Sequence, residues 1–213
     1  SDLSLSTGFD PDDMEVSGPI GDLVTRAAVL GGRFDDAVVR YFIVCWANLN
    51  HGAAKLVSGY VALPTVDGGR FKFNIHSEIG KFARSFERPT SPYCRRTFGA
   101  VDCGATPIET TGTVTAVTDE LAFAVSFSGS YATGFFEKGE AIFLTGGLAG
   151  IRPMEIVDWT VAGDASVTLF LPLPDLPEIG DTLTLKQGCD KLRTSCIEHQ
   201  GDALNFGGEP DLR

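Results

Sequence analysis

The stretch SPYCRRTFGAVDC (residues 91–103) and the later stretch GCDKLRTSC (residues 188–196) contain four of the five cysteines in the chain. Their spacings, Cys-x8-Cys and Cys-x6-Cys, are looser than the Cys-x2-Cys knuckles of most zinc ribbons. Between the two pairs lie short segments rich in β-branched and aromatic residues, separated by Gly, Pro and Asp turns. This order indicates that the two cysteine pairs bracket one β domain.

Six segments between about residues 110 and 186 predict the strands of that domain. They are TGTVTAVTD, LAFAVSF, ATGFFEKGEAIFLTGG, MEIVDWTVAG, SVTLFLPLP and GDTLTLKQG. Their near-regular spacing and lack of helical period are typical of a small all-β barrel or sandwich. The sequence therefore predicts a mainly β fold with a few short helices, in two β-rich lobes, the second a small β-barrel inserted between the cysteine pairs.

The expected boundaries give three parts. Residues 1–105 form a β-rich domain with two helices, residues 106–187 form the barrel, and residues 188–213 form a C-terminal tail that returns to the cysteines. In the first part, DDAVVRYFIVCWANL predicts a strand, and KLVSGYVAL, VDGG and RFKFNIH predict a hairpin.

Apolar periodicity predicts the two helices, over residues 19–30 and 77–87. The first has Ile20, Leu23, Val24 and Ala27 at i, i+3, i+4 and i+7, and Gly31-Gly32 ends it. The second has Ser77 as a candidate N-cap. Cys45 lies in the apolar run YFIVCWANL, so we expect a buried, unligated thiol that tolerates Ala or Val.

The remaining four cysteines allow three kinds of link between the entry and exit of the barrel. They are an iron–sulfur cluster, a tetrahedral zinc ion or two disulfides. A link that closes the loop between Cys103 and Cys189 lowers the conformational entropy of the unfolded chain. On the disulfide model this stabilises the folded state by roughly 4–5 kcal/mol. The acidic start SDLSLSTGFDPDD lacks the features of a signal peptide, which disfavours disulfides. His199 is a possible zinc ligand, but we interpret it as a surface histidine.

Composition narrows the function classes. The net charge is −11 and the 17 Lys and Arg residues are scattered, so tight nucleic-acid binding is not expected. No apolar run approaches the ~20 residues that span a bilayer. The sequence has no Gly-x-Ser-x-Gly, His-Glu-x-x-His or Walker motif. An alternative function is a metal-dependent redox or hydrolytic enzyme module, which would contain zinc or an iron–sulfur cluster.

Three segments carry a resemblance to a known family. FDDAVVRYFIVCWANL, SPYCRRTFGAVDCG and GCDKLRTSCIEHQGDALNFGGEP resemble the tail hub, or tail tip attachment, proteins of long-tailed phages and gene transfer agents. These proteins are related to the tail tip protein L of lambda-like phages. The C-terminal segment is the most specific, through Gly188-Cys189-Asp190-Lys191, Cys196, Asn205, Phe206 and Gly208.

The resemblance implies a non-enzymatic, structural role in the virion, assembled in the host cytoplasm. Such hubs form homotrimeric rings that join the tail tube and distal tail protein to the tip and fibre-bearing protein. DNA passes through the lumen without specific binding, and we expect acidic residues to line it. The family usually carries a further N-terminal β segment, within which this sequence is expected to start.

The resemblance also implies a cofactor. In this family four cysteines are thought to bind an iron–sulfur cluster, and by position they are Cys94, Cys103, Cys189 and Cys196. We therefore expect a structural 4Fe–4S cluster at these residues, with zinc as the alternative.

Overall fold

The computed structural model describes residues 13–77, 90–201 and 203–211. The chain divides into two compact units, Ser1–Phe86 and Glu87–Arg213. The first contains a four-stranded antiparallel sheet and the second a closed six-stranded barrel. The predicted mainly β fold with two β-rich lobes is therefore confirmed.

The sheet of the first unit has the strand order β1-β4-β3-β2. Its strands are β1 (Asp13–Pro19), β2 (Val38–Val44), β3 (Ala53–Asp67) and β4 (Arg70–Ser77). Gly68 and Gly69 join β3 to β4 with positive φ angles of 53° and 77°, as the predicted hairpin requires. The buried core of this unit consists of Met14, Val29, Val61, Phe73 and Ile75.

The helix predicted over residues 19–30 is much shorter in the structure. Helix α1 spans Arg26–Leu30, and Asp13–Pro19 form β1, which the sequence analysis missed. Thr25 is the N-cap, because its hydroxyl accepts a hydrogen bond from the backbone N–H of Ala28 at 3.1 Å. Leu23, assigned to the buried stripe, is 95% exposed. The helix predicted over residues 77–87 lies outside the described residues, apart from Ser77, which ends β4.

The expectation that Cys45 is buried is wrong. Cys45 directly follows the end of β2 and is exposed. The apolar residues on both sides of it, Val44 and Trp46, are also exposed. The apolar run was interpreted as core, but no described residue covers this end of the strand.

The second unit is a barrel closed by antiparallel pairs in the order β10-β5-β6-β9-β8-β7. Its strands are β5 (Glu109–Val117), β6 (Ala122–Phe127), β7 (Glu140–Phe143), β8 (Met154–Ala162), β9 (Asp164–Leu169) and β10 (Thr182–Lys186). Helix α2 (Arg193–Gln200) follows the barrel. Among the described residues, no helix has the length and apolar character needed to cross a membrane.

The barrel interior is filled by alternate residues of its strands. Those at most 2% exposed include Val114, Phe123, Val125, Phe143, Ile156, Trp159, Val167, Leu183 and Leu185. The segment ATGFFEKGEAIF was predicted to be a strand throughout, but residues 133–138 form turns. Phe136 in these turns is fully buried, and its ring packs edge-on against Trp159 with centroids 4.8 Å apart. This aromatic packing explains why an apolar segment is not a strand here.

Two neighbouring positions of β8 test the barrel core. Ile156→Ala should lower the free energy of unfolding of the second unit by about 2–5 kcal/mol, because a fully buried side chain leaves a cavity. Val157→Ala is the matched control, since Val157 is 48% exposed, and we expect a change within about 0.5 kcal/mol. Urea unfolding followed by near-UV circular dichroism measures both. Equal effects of the two substitutions would contradict this assignment of the barrel interior.

Candidate metal centre

The pairing of the first and last barrel strands brings the two cysteine segments towards each other. Glu109, at the start of β5, is opposite Lys186, at the end of β10. The pairing continues beyond the strands, where the backbone N–H of Gln187 donates to the carbonyl of Ile108 at 2.8 Å. Cys103 precedes β5 and Cys189 follows β10 by only a few residues. Both therefore emerge at the same end of this strand pair.

The backbone of Lys191 links Cys94 to Cys189. Its N–H donates to Sγ of Cys189 at 3.4 Å, and its carbonyl accepts from the N–H of Cys94 at 2.8 Å. Lys191 has a positive φ of 65°, a left-handed conformation that is uncommon for a residue with a Cβ. Its Nζ also donates to the carbonyl of Arg96 at 2.8 Å. Three hydrogen bonds thus hold this residue between the two cysteine segments.

The side-chain amide of Gln200 links the other two cysteines. Its Nε2 lies 3.5 Å from Sγ of Cys196 and 3.9 Å from Sγ of Cys103. Both cysteines are 7% exposed. Asn205 donates in turn to Oε1 of Gln200 at 3.2 Å, which orients the amide so that its N–H groups face the two sulfurs. Gln200 ends α2, and Gly201 follows in the left-handed conformation with a φ of 80°.

The C-terminal tail folds back on the Cys94 segment. The N–H of Gly207 donates to Sγ of Cys94 at 3.3 Å, and the N–H of Glu209 donates to the carbonyl of Ser91 at 2.8 Å. Arg95 binds the Glu209 carboxylate through both terminal nitrogens, at 2.9 and 2.7 Å. This bidentate ion pair and the hydrogen bonds fix the tail beside Cys94.

Two glycines permit this close approach of the tail. A Cβ at Gly207 would lie 2.8 Å from Cγ of Arg96, and a Cβ at Gly208 would lie 2.7 Å from the carbonyl oxygen of Tyr93. The second contact is with backbone, which cannot move aside as a flexible side chain can. The Gly-Gly pair is therefore needed for the tail to reach the cysteine.

The contacts connect all four predicted cysteines in one neighbourhood. Each of the four sulfurs accepts a hydrogen bond from an N–H of the protein. Burial raises the pKa of the Cys189 thiol, the N–H and positive charge of Lys191 lower it, and the charges of Asp190 and Cys103 raise it further. Hydrogen bonds through Arg96 join the Lys191 pair to the Gln200 pair. The Arg96 carbonyl accepts from Nζ of Lys191, and its guanidinium donates at 3.5 Å to Oδ1 of Asn205, which binds Gln200.

The arrangement of the thiols is that of two linked pairs. All five cysteines belong to the described part of the chain, and none forms a disulfide. Within residues 13–77, 90–201 and 203–211, no three His, Cys, Asp or Glu side chains are grouped closely enough to hold a single metal ion. His199 packs its ring against Phe98, with centroids 4.8 Å apart.

A cleft of about 520 Å³ opens beside Cys189. Charged side chains of both signs line it, among them Lys138, Lys186, Glu140, Glu155 and Asp190. Burial alone would raise the pKa of the Asp190 carboxyl, but hydrogen bonds from the Leu192 N–H and the Ser195 hydroxyl hold it below its usual value. Asp190 therefore stays ionised and orders the turn that leads from Cys189 into α2.

Sequence reasoning did not assign a role to Gln200 or Gly207, and Gly208 entered only as part of a family pattern. Asn205 entered only as part of a family pattern, and its contact with Gln200 gives it a physical role. A Gln four residues after Cys196 on one helix was the available signal, because residues at i and i+4 share a helix face.

Comparisons with known proteins give matches over most of the chain. Residues 1–106 match the family described as "Baseplate hub protein, N-terminal attachment domain". Residues 134–213 match the family described as "Phage conserved hypothetical protein BR0599". No curated protein matches the chain at a significant level.

A solved structure supports the same fold. A chain from the "Virion of native gene transfer agent (GTA) particle" is similar to this one with a TM-score of 0.84 and 23% sequence identity. The similarity covers 100% of this chain and 74% of that chain. Together with the described fold, the two family matches show that the chain belongs to the baseplate hub proteins of phage-type tails, structural components of the virion.

Proposed function

We propose that this protein is a ring-forming hub of the tail tip whose second unit is cross-linked by a structural 4Fe–4S cluster on Cys94, Cys103, Cys189 and Cys196. The observation that supports the cluster is that hydrogen bonds link the four cysteines in two neighbouring pairs and that each sulfur accepts a hydrogen bond from an N–H. Hydrogen bonds to the sulfurs stabilise thiolate ligands and help to set the potential of such a cluster.

The preference for a cluster over a single zinc ion rests on the resemblance of the chain to tail hub proteins. Zinc needs four ligands on one atom, with sulfurs at about 2.3 Å from the metal. A 4Fe–4S cluster takes each thiolate at a different iron atom, so its ligands are spread around a larger object. The positive charge of Lys191 acts on Cys189 and would offset part of the negative charge of four thiolates.

When bound, the cluster supplies a covalent cross-link between the segments before and after the barrel. The chain itself brings those segments together through the β5–β10 pairing, Lys191, Gln200 and the tail. The cluster then adds stability to an arrangement that is already formed. This role requires no substrate and no turnover, so the proposed function is structural and not catalytic.

In the assembled tail we propose a homotrimeric ring. It would join the distal tail protein and tail tube on one side to the tip and fibre-bearing protein on the other, with DNA passing through its lumen. The net charge of −11 supports a lumen that does not retain DNA, because favourable phosphate contacts come from Lys and Arg.

Single substitutions of the four cysteines test the cluster. Each Cys→Ser variant, purified without oxygen, should lose iron and sulfide and melt at a lower temperature, because binding energy at such a site is folding energy. Cys45→Ser is the matched control. It should keep its iron and sulfide and its melting temperature, because Cys45 lies in the other unit. Three variants with full metal content and unchanged melting would refute the shared site. A colourless wild type loaded with zinc would refute iron but retain the site.

The Gln200 amide gives a second test that does not depend on losing the cluster. Gln200→Leu removes the N–H donor to Cys103 and Cys196, so the reduction potential of the cluster should become more negative. Glu198→Gln, an exposed change on the same helix, should leave the potential unchanged. A redox titration followed by electron paramagnetic resonance measures both. A potential in Gln200→Leu equal to that of wild type would show that the amide does not act on the cluster.

The Arg95–Glu209 pair predicts a pH dependence for the tail. Hydrogen bonds from Arg95 and from the Ser91 N–H hold the pKa of Glu209 below its usual value. The ionised Glu209 carboxylate therefore stabilises the folded tail above the unfolded-state pKa of about 4.3. This stabilisation is lost as the pH falls through the lower folded-state pKa. Wild type should protect the tail amides from hydrogen exchange more than Glu209→Gln at pH 7, and the difference should vanish in acid. No difference at pH 7 would contradict the pairing.

A further inference from the structure

The end of β2 and the start of β3 form an exposed apolar surface on the first unit. We call residues 42–56 the apolar arm. Its large apolar side chains are all about half exposed or more: Phe42 53%, Ile43 58%, Val44 49%, Trp46 90%, Leu49 70% and Leu56 52%. Phe42, Ile43 and Val44 are consecutive in a strand, so they point to alternate faces, and neither face is covered by a described residue. A continuous exposed apolar surface of this kind marks an interaction site.

The arm lies in a part of the chain that contains no acidic residue. Residues 37–66 include no Asp or Glu, although the chain has 28. The charged residues in this range are Arg40 and Lys55, and both are exposed. A basic apolar element on a chain of net charge −11 is complementary to the rest of that same chain.

The sheet that carries the arm has two edges without a partner among the described strands. They are β1 and β2, since the strand order is β1-β4-β3-β2. Edge strands present unpaired backbone N–H and carbonyl groups, and native proteins cover or protect them. β1 carries the acidic Glu15 and no cation, whereas β2 contains Arg40 and no acid. The two edges of one sheet therefore carry opposite charge.

We infer that the apolar arm is the docking element between copies of this chain, with the β2 edge of one copy added to the β1 edge of the next and Trp46 buried in the contact. Such a contact uses different surfaces on the two copies, and contacts of this type close into rings when the rotation permits. The inference rests on the proposed ring and adds to it the surfaces that make it. It is independent of the metal centre, which belongs to the other unit.

A second copy is favoured over an unrelated partner because this chain supplies both halves of the contact. The acidic edge and the basic apolar edge occur on the same sheet, so each copy can donate one and accept the other. Glu15 is about half exposed and lies 3.2 Å from Lys72 of its own chain, which leaves part of its carboxylate open to a partner.

Analytical ultracentrifugation of the full chain, with its metal retained, tests the arm. Wild type should assemble, and Trp46→Ser and Ile43→Lys should each raise the dissociation constant at least tenfold. Leu23→Ser is the matched control, because Leu23 is 95% exposed but lies outside the arm, and it should assemble like wild type. Circular dichroism and melting should match wild type in all three variants, since the changed side chains are exposed.

A charge exchange tests whether the partner of the apolar arm is a second copy of this chain. Arg40→Glu should weaken assembly, and Arg40→Glu combined with Glu15→Lys should restore it, because the two charges meet across copies. Arm variants that assemble like wild type would overturn the inference and leave the ring intact. A wild type that stays monomeric at high concentration would overturn the ring as well. If the arm variants self-assemble normally but no longer bind an acidic tail protein, that protein is the partner of the arm. This result would overturn the inference that a second copy binds there.

Discussion

The pairing of β5 with β10 is the interaction on which the second unit depends. It closes the barrel, and it also places the start of the barrel beside its end, since Glu109 is opposite Lys186. Two cysteine segments that are far apart in sequence thereby become neighbours before any thiol is considered. The proposed metal centre would thus be a consequence of barrel closure. A link at this point also stabilises the closure in return, because the cross-link and the strand pair restrain the same two ends.

Closure alone does not set the orientation of the thiols, and a second group of contacts does so. The backbone of Lys191 forms hydrogen bonds with Cys94 and Cys189. The side-chain amide of Gln200 donates to the sulfurs of Cys103 and Cys196. Sulfur is a weak acceptor when protonated and a better one as a thiolate, so N–H groups directed at the sulfurs favour the ligating form. At Cys189 they oppose burial, which raises the pKa of the thiol. The tail glycines contribute to the same group of contacts, because only a residue without a Cβ lets the tail approach the Cys94 segment so closely.

The sequence predicted the features that depend on local pattern and missed those that depend on what covers a surface. Alternation of apolar and polar residues located most barrel strands, and the strand order implied neighbouring cysteine segments. The helix over residues 19–30 was too long because apolar periodicity was counted through residues that a Thr25 cap excludes. Cys45 was assigned to the core because apolar runs usually are core, and a sequence cannot show that no described residue covers this one. Gln200 has an ordinary helical position, and only the fold reveals its two sulfur partners.

The two units differ in whether their strand edges are paired. The barrel removes its edges by closing on itself, so its stability is internal and a cross-link at its ends is sufficient. Among the described strands, the sheet of the first unit is open, with one acidic edge and one basic, apolar edge. An isolated sheet of this kind is prone to aggregation unless a partner completes it. A baseplate hub protein functions only in an assembly, so an incomplete sheet is tolerable where a matching edge is always present, and opposite edge charges would select that edge over others.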